Sequence, residues 1–240
     1  YRRWIVQFGV TGFLCSLASL PYQTMLQALD VLQSIPEQVE GGADFYGAHL
    51  EGPYLSENKP GAIDRSIFRT PNMEEVEEIL SRGGDKVRMI TIAPEVPWAF
   101  SAAERFTQAG VTVAAGHTAT DYETATKAFD SGFFPHSTHT YNAQSAFNHR
   151  KPGVIGAALT HPTVMGELIA DLVHVHEGAI RLLVKCLGTE RICLVSDAME
   201  ATGLPDGLYE LSGRQRIVKD GRSTLPDGTI AGSTATMDRC

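Results

Sequence analysis

Along the chain, short apolar runs alternate with longer stretches whose apolar residues recur every three or four positions. The first run, Gly12-Phe13-Leu14-Cys15-Ser16-Leu17, reads as a strand. A helix is predicted over 22–35, with Met25, Leu26, Leu29, Leu32 and Ile35 on one face. Further strands are predicted over 45–50, 87–93, 111–115, 133–138, 164–175 and 192–196. Helical spacing separates most of them, over 74–82, 101–109, 121–131 and 179–187. Ser101, with Glu104 three positions on, suits a helix N-cap. Gly132 suits the stop of the helix before it. Strands alternating with helices imply a parallel sheet. Seven such runs fall one short of a closed eight-stranded α/β barrel, which a chain of 240 residues has the length to form. After 208 the texture changes: 208–211 and 216–218 read as a hairpin, followed by glycine-rich turns. The expected division is therefore an incomplete barrel over 1–208 and a hairpin segment over 209–240.

A formal charge of −8 argues against a nucleic-acid footprint, which needs clustered Lys and Arg. It leaves room for a phosphorylated small molecule held by one or two local cations. No run approaches the roughly 20 apolar residues of a membrane helix. Cys15, Cys186, Cys193 and Cys240 form no C-x-x-C pair, so a reducing, cytoplasmic setting is expected rather than a disulfide framework. The chain opens on Tyr1 and is expected to begin mid-protein.

Chemistry gathers where the strands end. Glu51, His117, His139, His174 and Asp197 each lie at or just past the C-terminal end of a different predicted strand. In a parallel barrel those ends form one rim, and that rim carries the active site. One carboxylate and two imidazoles suit a divalent metal such as zinc with an open position for water. A nearby aspartate then serves to take and return a proton, which describes metal-assisted hydrolysis of a carbonyl compound. Each residue alone has a plainer reading. His136 and His139 fit a surface turn, Glu51 a solvated turn, and Asp197 the cap of a following helix. His174 and His176 share one face of a strand, so only one need function. His149 and His161 have loop-like surroundings and no assigned role.

The runs His49-Leu50-Glu51-Gly52-Pro53, Ala115-Gly116-His117-Thr118, Thr138-His139-Thr140-Tyr141-Asn142-Ala143, Ile169-Ala170-Asp171-Leu172-Val173-His174-Val175, Leu194-Val195-Ser196-Asp197-Ala198 and Gly228-Thr229-Ile230-Ala231-Gly232-Ser233 occur in that order. Together they resemble the N-acetylglucosamine-6-phosphate deacetylases, over nearly the whole chain. The resemblance implies an amidohydrolase-type (β/α)8 TIM barrel, here without its first strand and most of an accessory β-sandwich. It implies metal ligation by Glu51, His117 and His139, with Asp197 as catalytic acid/base. Substrate contacts are implied for Ala62, Asn142, Ala143, Arg150, His174, Ile230, Ala231 and Gly232. Arg150, beside Lys151, would fork a phosphate, often across a dimer interface, so a homodimer is implied when the protein is full length. Asn142 and its neighbours would fix sugar hydroxyls, and His174 would add a bond to phosphate or sugar. The implied reaction releases acetate from N-acetylglucosamine 6-phosphate. The implied cofactor is one divalent ion per subunit, zinc by preference, with Fe2+, Co2+ or Mn2+ as substitutes. No Lys stands at a strand end near the ligands, so Glu51 takes the bridging place that a modified lysine holds in other amidohydrolases.

Two departures bear on activity. Ile63 stands where the family has a histidine thought to polarise the substrate carbonyl, and losing such a donor typically costs about 10²–10³ in rate. Gln144 replaces a usual Met, in a loop expected to border the sugar phosphate. The alternatives are a deacetylase for the galactosamine epimer, and a catalytically impaired sugar-phosphate-binding fragment.

Overall fold

The computed structural model describes residues 1–18, 20–211 and 214–240. Seven strands form one parallel sheet in the order of the sequence: β1 (Gly12–Ala18), β2 (Asp44–Glu51), β3 (Val87–Ile92), β4 (Thr112–Ala115), β5 (His136–Ser137), β6 (Met165–Leu168) and β7 (Ile192–Leu194). A short α1 (Arg2–Ile5) precedes β1. One helix then fills each crossover: α2 (Tyr22–Leu32), α3 (Met73–Gly83), α4 (Ala99–Gln108), α5 (Tyr122–Asp130), α6 (Gly153–Thr160) and α7 (Glu177–Leu187).

Parallel strands covered on both faces read as unbroken apolar runs. β3 obeys this, with every residue but Arg88 buried. The helices are covered on one face only, so α3 buries Val76 and Ile79 and turns its glutamates outward. Phe45, Leu50, Ile79, Ile90, Phe106 and Phe134 meet in one core between sheet and helices. Adjacent strands lie about 4.8 Å apart, so β2 and β5 would stand roughly 14 Å apart in a flat sheet. Yet Glu51, at the end of β2, comes within 3.0 Å of His139, just past β5. The sheet is therefore curled as a barrel wall, open between β1 and β7, which do not pair among the described residues.

A second sheet is antiparallel, in the order β11 (Ile230–Ser233), β10 (Arg222–Thr224), β9 (Arg214–Lys219), β8 (Gly207–Leu211). The predicted hairpin is its β8–β9 pair, whose turn at 212–213 lies outside the described residues. β10 and β11 replace what the sequence suggested were turns. Both are short: β10 is polar throughout, and Gly232 and Ser233 end β11 before a strand period can show.

Other expectations change. The stretch over 164–175 is a strand only as far as Leu168. Asp171 then accepts from the backbone N–H groups of Val173 and His174 and folds the rest into a loop, so His174 and His176 share no strand face. His176 instead caps α7, its Nδ1 accepting from Gly178 N at 3.1 Å. Ser101 lies inside α4, which begins from Trp98 at φ 66° with no side-chain cap. Asp121 does cap α5, accepting from Thr124 N at 2.8 Å. No helix directly follows Asp197 for it to cap. α6 escaped sequence reading because seven of its eight residues are buried, leaving no polar face to mark a period. Among the described residues no helix is long and apolar enough to cross a membrane.

Ile90 is fully buried in the middle of β3. Ile90→Ala should destabilise the chain by about 2–5 kcal/mol, read as a fall in the urea midpoint at constant slope. A loss under about 1 kcal/mol would place Ile90 outside the core.

Candidate metal centre and substrate cavity

Three side chains from three strand ends meet at one point. Glu51 closes β2, His117 follows β4 and His139 follows β5. The Nε2 atoms of His117 and His139 each stand 3.0 Å from the same carboxylate oxygen, Glu51 Oε1. Their rings cross edge to face, with centroids 5.1 Å apart. All three ligand atoms lie within 4.8 Å of one another. The two histidines are only 4% and 6% exposed, so most of their surface is removed from water.

The backbone is shaped to deliver them. His117, His139 and Asp197 all take positive φ, at 45°, 28° and 47°. Non-glycine residues there cost about 1–3 kcal/mol each and concentrate at functional sites. Each sits where the chain turns sharply off a strand, and the turn swings its side chain over the sheet end. Gly61 answers the same crowding from the other side. It has φ 56°, and a Cβ there would come within 3.1 Å of the His117 ring.

The donors fit a divalent cation. His117 Nδ1–H donates to the Lys59 carbonyl at 3.0 Å, which fixes the tautomer and leaves the Nε2 lone pair facing Glu51. Two acceptors at 3.0 Å have no reason to meet unless a positive charge lies between them. In the metal-free chain protons play that part. Burial would raise the Glu51 carboxyl, but bonds from His117 and His139 hold it well below the carboxylate range. Burial pushes His139 down, and Glu51 overrides it, taking His139 up to about 9. His139 Nδ1 is buried with no partner, so nothing else competes for that ring.

A cavity of about 660 Å³ opens over this group. Of the residues singled out from the sequence, Glu51, His117, His139, Ala62, Asn142, Ala143, His174, Asp197, Ile230, Ala231 and Gly232 line it. Arg150 does not: it is exposed, on the turn before α6. Ile63 also lines the cavity, 7% exposed, and offers no hydrogen bond there. Burial and the like charge of Glu51 push the Asp197 carboxyl up to about 6.

Several supports were not assigned from the sequence. Asp171 Oδ2 accepts from His174 Nδ1 at 2.8 Å and from Ser233 Oγ at 3.1 Å. Ser233 N in turn donates to the Asp197 carbonyl at 2.8 Å, so β11 ties Asp197 and His174 together. Glu167 is 7% exposed and accepts from His139 N at 3.1 Å. A lone charge in the apolar run Met165-Gly166-Glu167-Leu168-Ile169 was the signal for it. Gln144 faces inward rather than toward substrate, donating to Ser137 Oγ and the Thr138 carbonyl and accepting from Tyr141 N. It clamps the turn that carries His139.

Searched against protein-family models, the chain matches none. It does match individual proteins. It is 37% identical over 237 residues to the N-acetylglucosamine-6-phosphate deacetylase of Vibrio furnissii, covering 99% of this chain and 59% of that protein. It is 35% identical to the N-acetylgalactosamine-6-phosphate deacetylase of Escherichia coli O157:H7, covering 96% and 60%. An aspartate-to-alanine variant of the Mycobacterium smegmatis N-acetyl-D-glucosamine-6-phosphate deacetylase, solved with N-acetyl-D-glucosamine-6-phosphate, superposes with a TM-score of 0.90. That pair is 35% identical and covers 97% of this chain and 60% of the other. The chain is a relative of the N-acetylglucosamine-6-phosphate deacetylases. It spans about three fifths of the length of the curated relatives it matches. Kinship with these deacetylases accounts for the parallel barrel wall and for a metal-competent group at its rim.

After dialysis against zinc, the protein should hold about one ion per chain at this three-ligand site. His117→Ala and His139→Ala should each lower ion content more than tenfold, and chelation should lower the melting temperature. Full ion content in the double variant would place the metal elsewhere.

Proposed function

We propose that this chain carries the catalytic face of an enzyme that hydrolyses the N-acetyl amide of N-acetylglucosamine 6-phosphate to glucosamine 6-phosphate and acetate. The observation that carries the reading is the convergence of Glu51, His117, His139 and Asp197 on one cavity, in a chain related to deacetylases of that name. Glu51, His117 and His139 would hold a divalent ion; zinc suits one carboxylate and two imidazoles, and iron, cobalt and manganese accept the same donors. Such an ion, when bound, polarises the amide carbonyl and acidifies water. Asp197 takes the proton of the attacking water and returns it to the amide nitrogen as the C–N bond breaks. Its raised pKa suits a group that must both accept and give a proton. Asn142 and His174 would orient the sugar, with the His174 ring held by Asp171. Ala62, Ala143 and Ile230 to Gly232 would form the walls. Arg150 is exposed and does not line its own cavity, which suits service to a second copy in a homodimer. In this reading residues 1–208 supply the barrel and 209–240 the wall over it, in a cytoplasmic enzyme of amino-sugar metabolism.

A second substrate has specific support. Identity to the galactosamine-phosphate deacetylase, at 35%, lies within the range of the glucosamine-phosphate relatives. The two epimers differ at one ring hydroxyl, so both belong in the assay.

Metal-loaded protein should release acetate from N-acetylglucosamine 6-phosphate. Asp197→Asn should keep the metal and lose roughly 10²–10⁴ in kcat. Metal bound without acetate from either epimer would reject the proposal. Ile63→His should raise turnover, by up to about 10²–10³ if a carbonyl donor is what the site lacks. No change would show that position 63 has no such use.

A further inference from the structure

Asp171 and Ser233 do not line the cavity, yet both are enclosed: the Asp171 side chain is 5% exposed and Ser233 is 2% exposed. Both Asp171 oxygens are engaged. Oδ1 accepts from Val173 N at 2.9 Å and from His174 N at 2.8 Å. Oδ2 accepts from His174 Nδ1 at 2.8 Å and from Ser233 Oγ at 3.1 Å. Burial would raise this carboxyl, and the bonds from His174 and Val173 hold it below the ordinary carboxylate range. An ionised carboxylate only accepts, so the proton of each Oδ2 bond belongs to the partner. His174 therefore carries a proton on Nδ1, which leaves Nε2 as the ring nitrogen available to the cavity it lines.

Ser233 ends β11 and connects that oxygen to Asp197. Its Oγ accepts from Ala235 N at 2.9 Å while its own proton goes to Asp171. Its N–H donates to the Asp197 carbonyl at 2.8 Å, and its carbonyl accepts from Met199 N and Thr202 Oγ1, both at 3.0 Å. The turn over 197–202 is thus laced to one residue of β11. Asp197 needs such restraint, because it sits at φ 47°, where a non-glycine residue is strained. Gly232 permits the approach: it has φ 68°, and a Cβ there would come 2.9 Å from Met199 Cβ and 3.4 Å from the Asp197 carbonyl oxygen.

We propose that Asp171 and Ser233 are positioning residues for the hydrolysis: one buried oxygen, Asp171 Oδ2, anchors both the His174 ring and, through Ser233, the turn that aims Asp197. This rests on the deacetylase reading above. Substrate contact and proton transfer then depend on one point behind the cavity wall, and substitution separates them. Ser233→Ala removes the branch to Asp197 and leaves the His174 bond. Asp171→Asn keeps the branch to Ser233, since the amide N–H donates to Oγ. The same amide also donates to His174 Nδ1 and so moves the ring proton to Nε2. Asp171→Ala removes both branches.

The test measures acetate release from N-acetylglucosamine 6-phosphate by the metal-loaded protein and these variants. Ser233→Ala should lower kcat roughly 10- to 100-fold, the scale of a lost bond to a charged group, with KM within about twofold of wild type. Asp171→Asn should show the opposite split, a KM raised roughly 10-fold with the smaller change in kcat. In the Asp171→Ala background, Ser233→Ala should lower kcat by less than about twofold more, because the shared anchor is already gone. Unchanged kcat in Ser233→Ala, the same split in Ser233→Ala and Asp171→Asn, or losses that multiply in the double variant overturn the proposal. If Asp171→Ala fails to fold, the other two variants decide by their opposite splits. If the wild type releases no acetate, the deacetylase reading fails, and nitrogen-15 NMR of His174 still reads the anchor, in buffer alkaline enough to leave imidazole neutral. A proton on Nδ1 in the wild type and on Nε2 in Asp171→Asn supports it there, and the same tautomer in both overturns it.

Discussion

Two imidazoles share one oxygen of Glu51, deep at the end of a parallel sheet, and the surrounding structure is arranged to keep them there. Three buried acceptors at such range repel unless a cation or protons lie between them. Bringing them together demands that β2, β4 and β5 converge, which a flat sheet cannot do. It also demands left-handed backbone at His117 and His139, a glycine at 61 and a tautomer fixed by the Lys59 carbonyl. Glu167 and Gln144 hold the His139 turn from behind. Lys59, Glu167 and Gln144 do not line the cavity, and each makes sense through the group it restrains.

Beneath that group the barrel interior is polar in a way that the apolar runs conceal. His49 Nδ1 lies 3.2 Å from Ser16 Oγ, and its Nε2 lies 2.8 Å from Thr91 Oγ1, which in turn meets Thr138 Oγ1 at 2.8 Å. This chain links β1, β2, β3 and the segment after β5 across the barrel. Enclosure pushes His49 down to about 4, so it stays neutral and acts as a spacer between hydroxyls. Satisfied networks of this kind rigidify a core and fix one arrangement of it.

The alternation of strands and helices was legible in the sequence because parallel strands, covered on both faces, cannot avoid long apolar runs. The rim was legible for a related reason: Glu51, His117, His139 and Asp197 each break such a run with a reactive group at its end. What escaped lacked a period. α6 is apolar all round, β10 and β11 are short, and the loop after β6 is folded by one side chain, Asp171. Arg150 was assigned by resemblance as a phosphate fork, often across a dimer interface, and in its own chain it is exposed on the turn before α6.

The central claim is that Glu51, His117 and His139 form one metal site in which a cation replaces the protons between them. Diffraction at a metal absorption edge from crystals of the zinc-loaded protein tests it most directly. The account predicts one anomalous peak bounded by these three residues, with ligand distances of about 2.0–2.2 Å. A peak elsewhere, or none while the two histidines remain 3.0 Å from Glu51 Oε1, would contradict it.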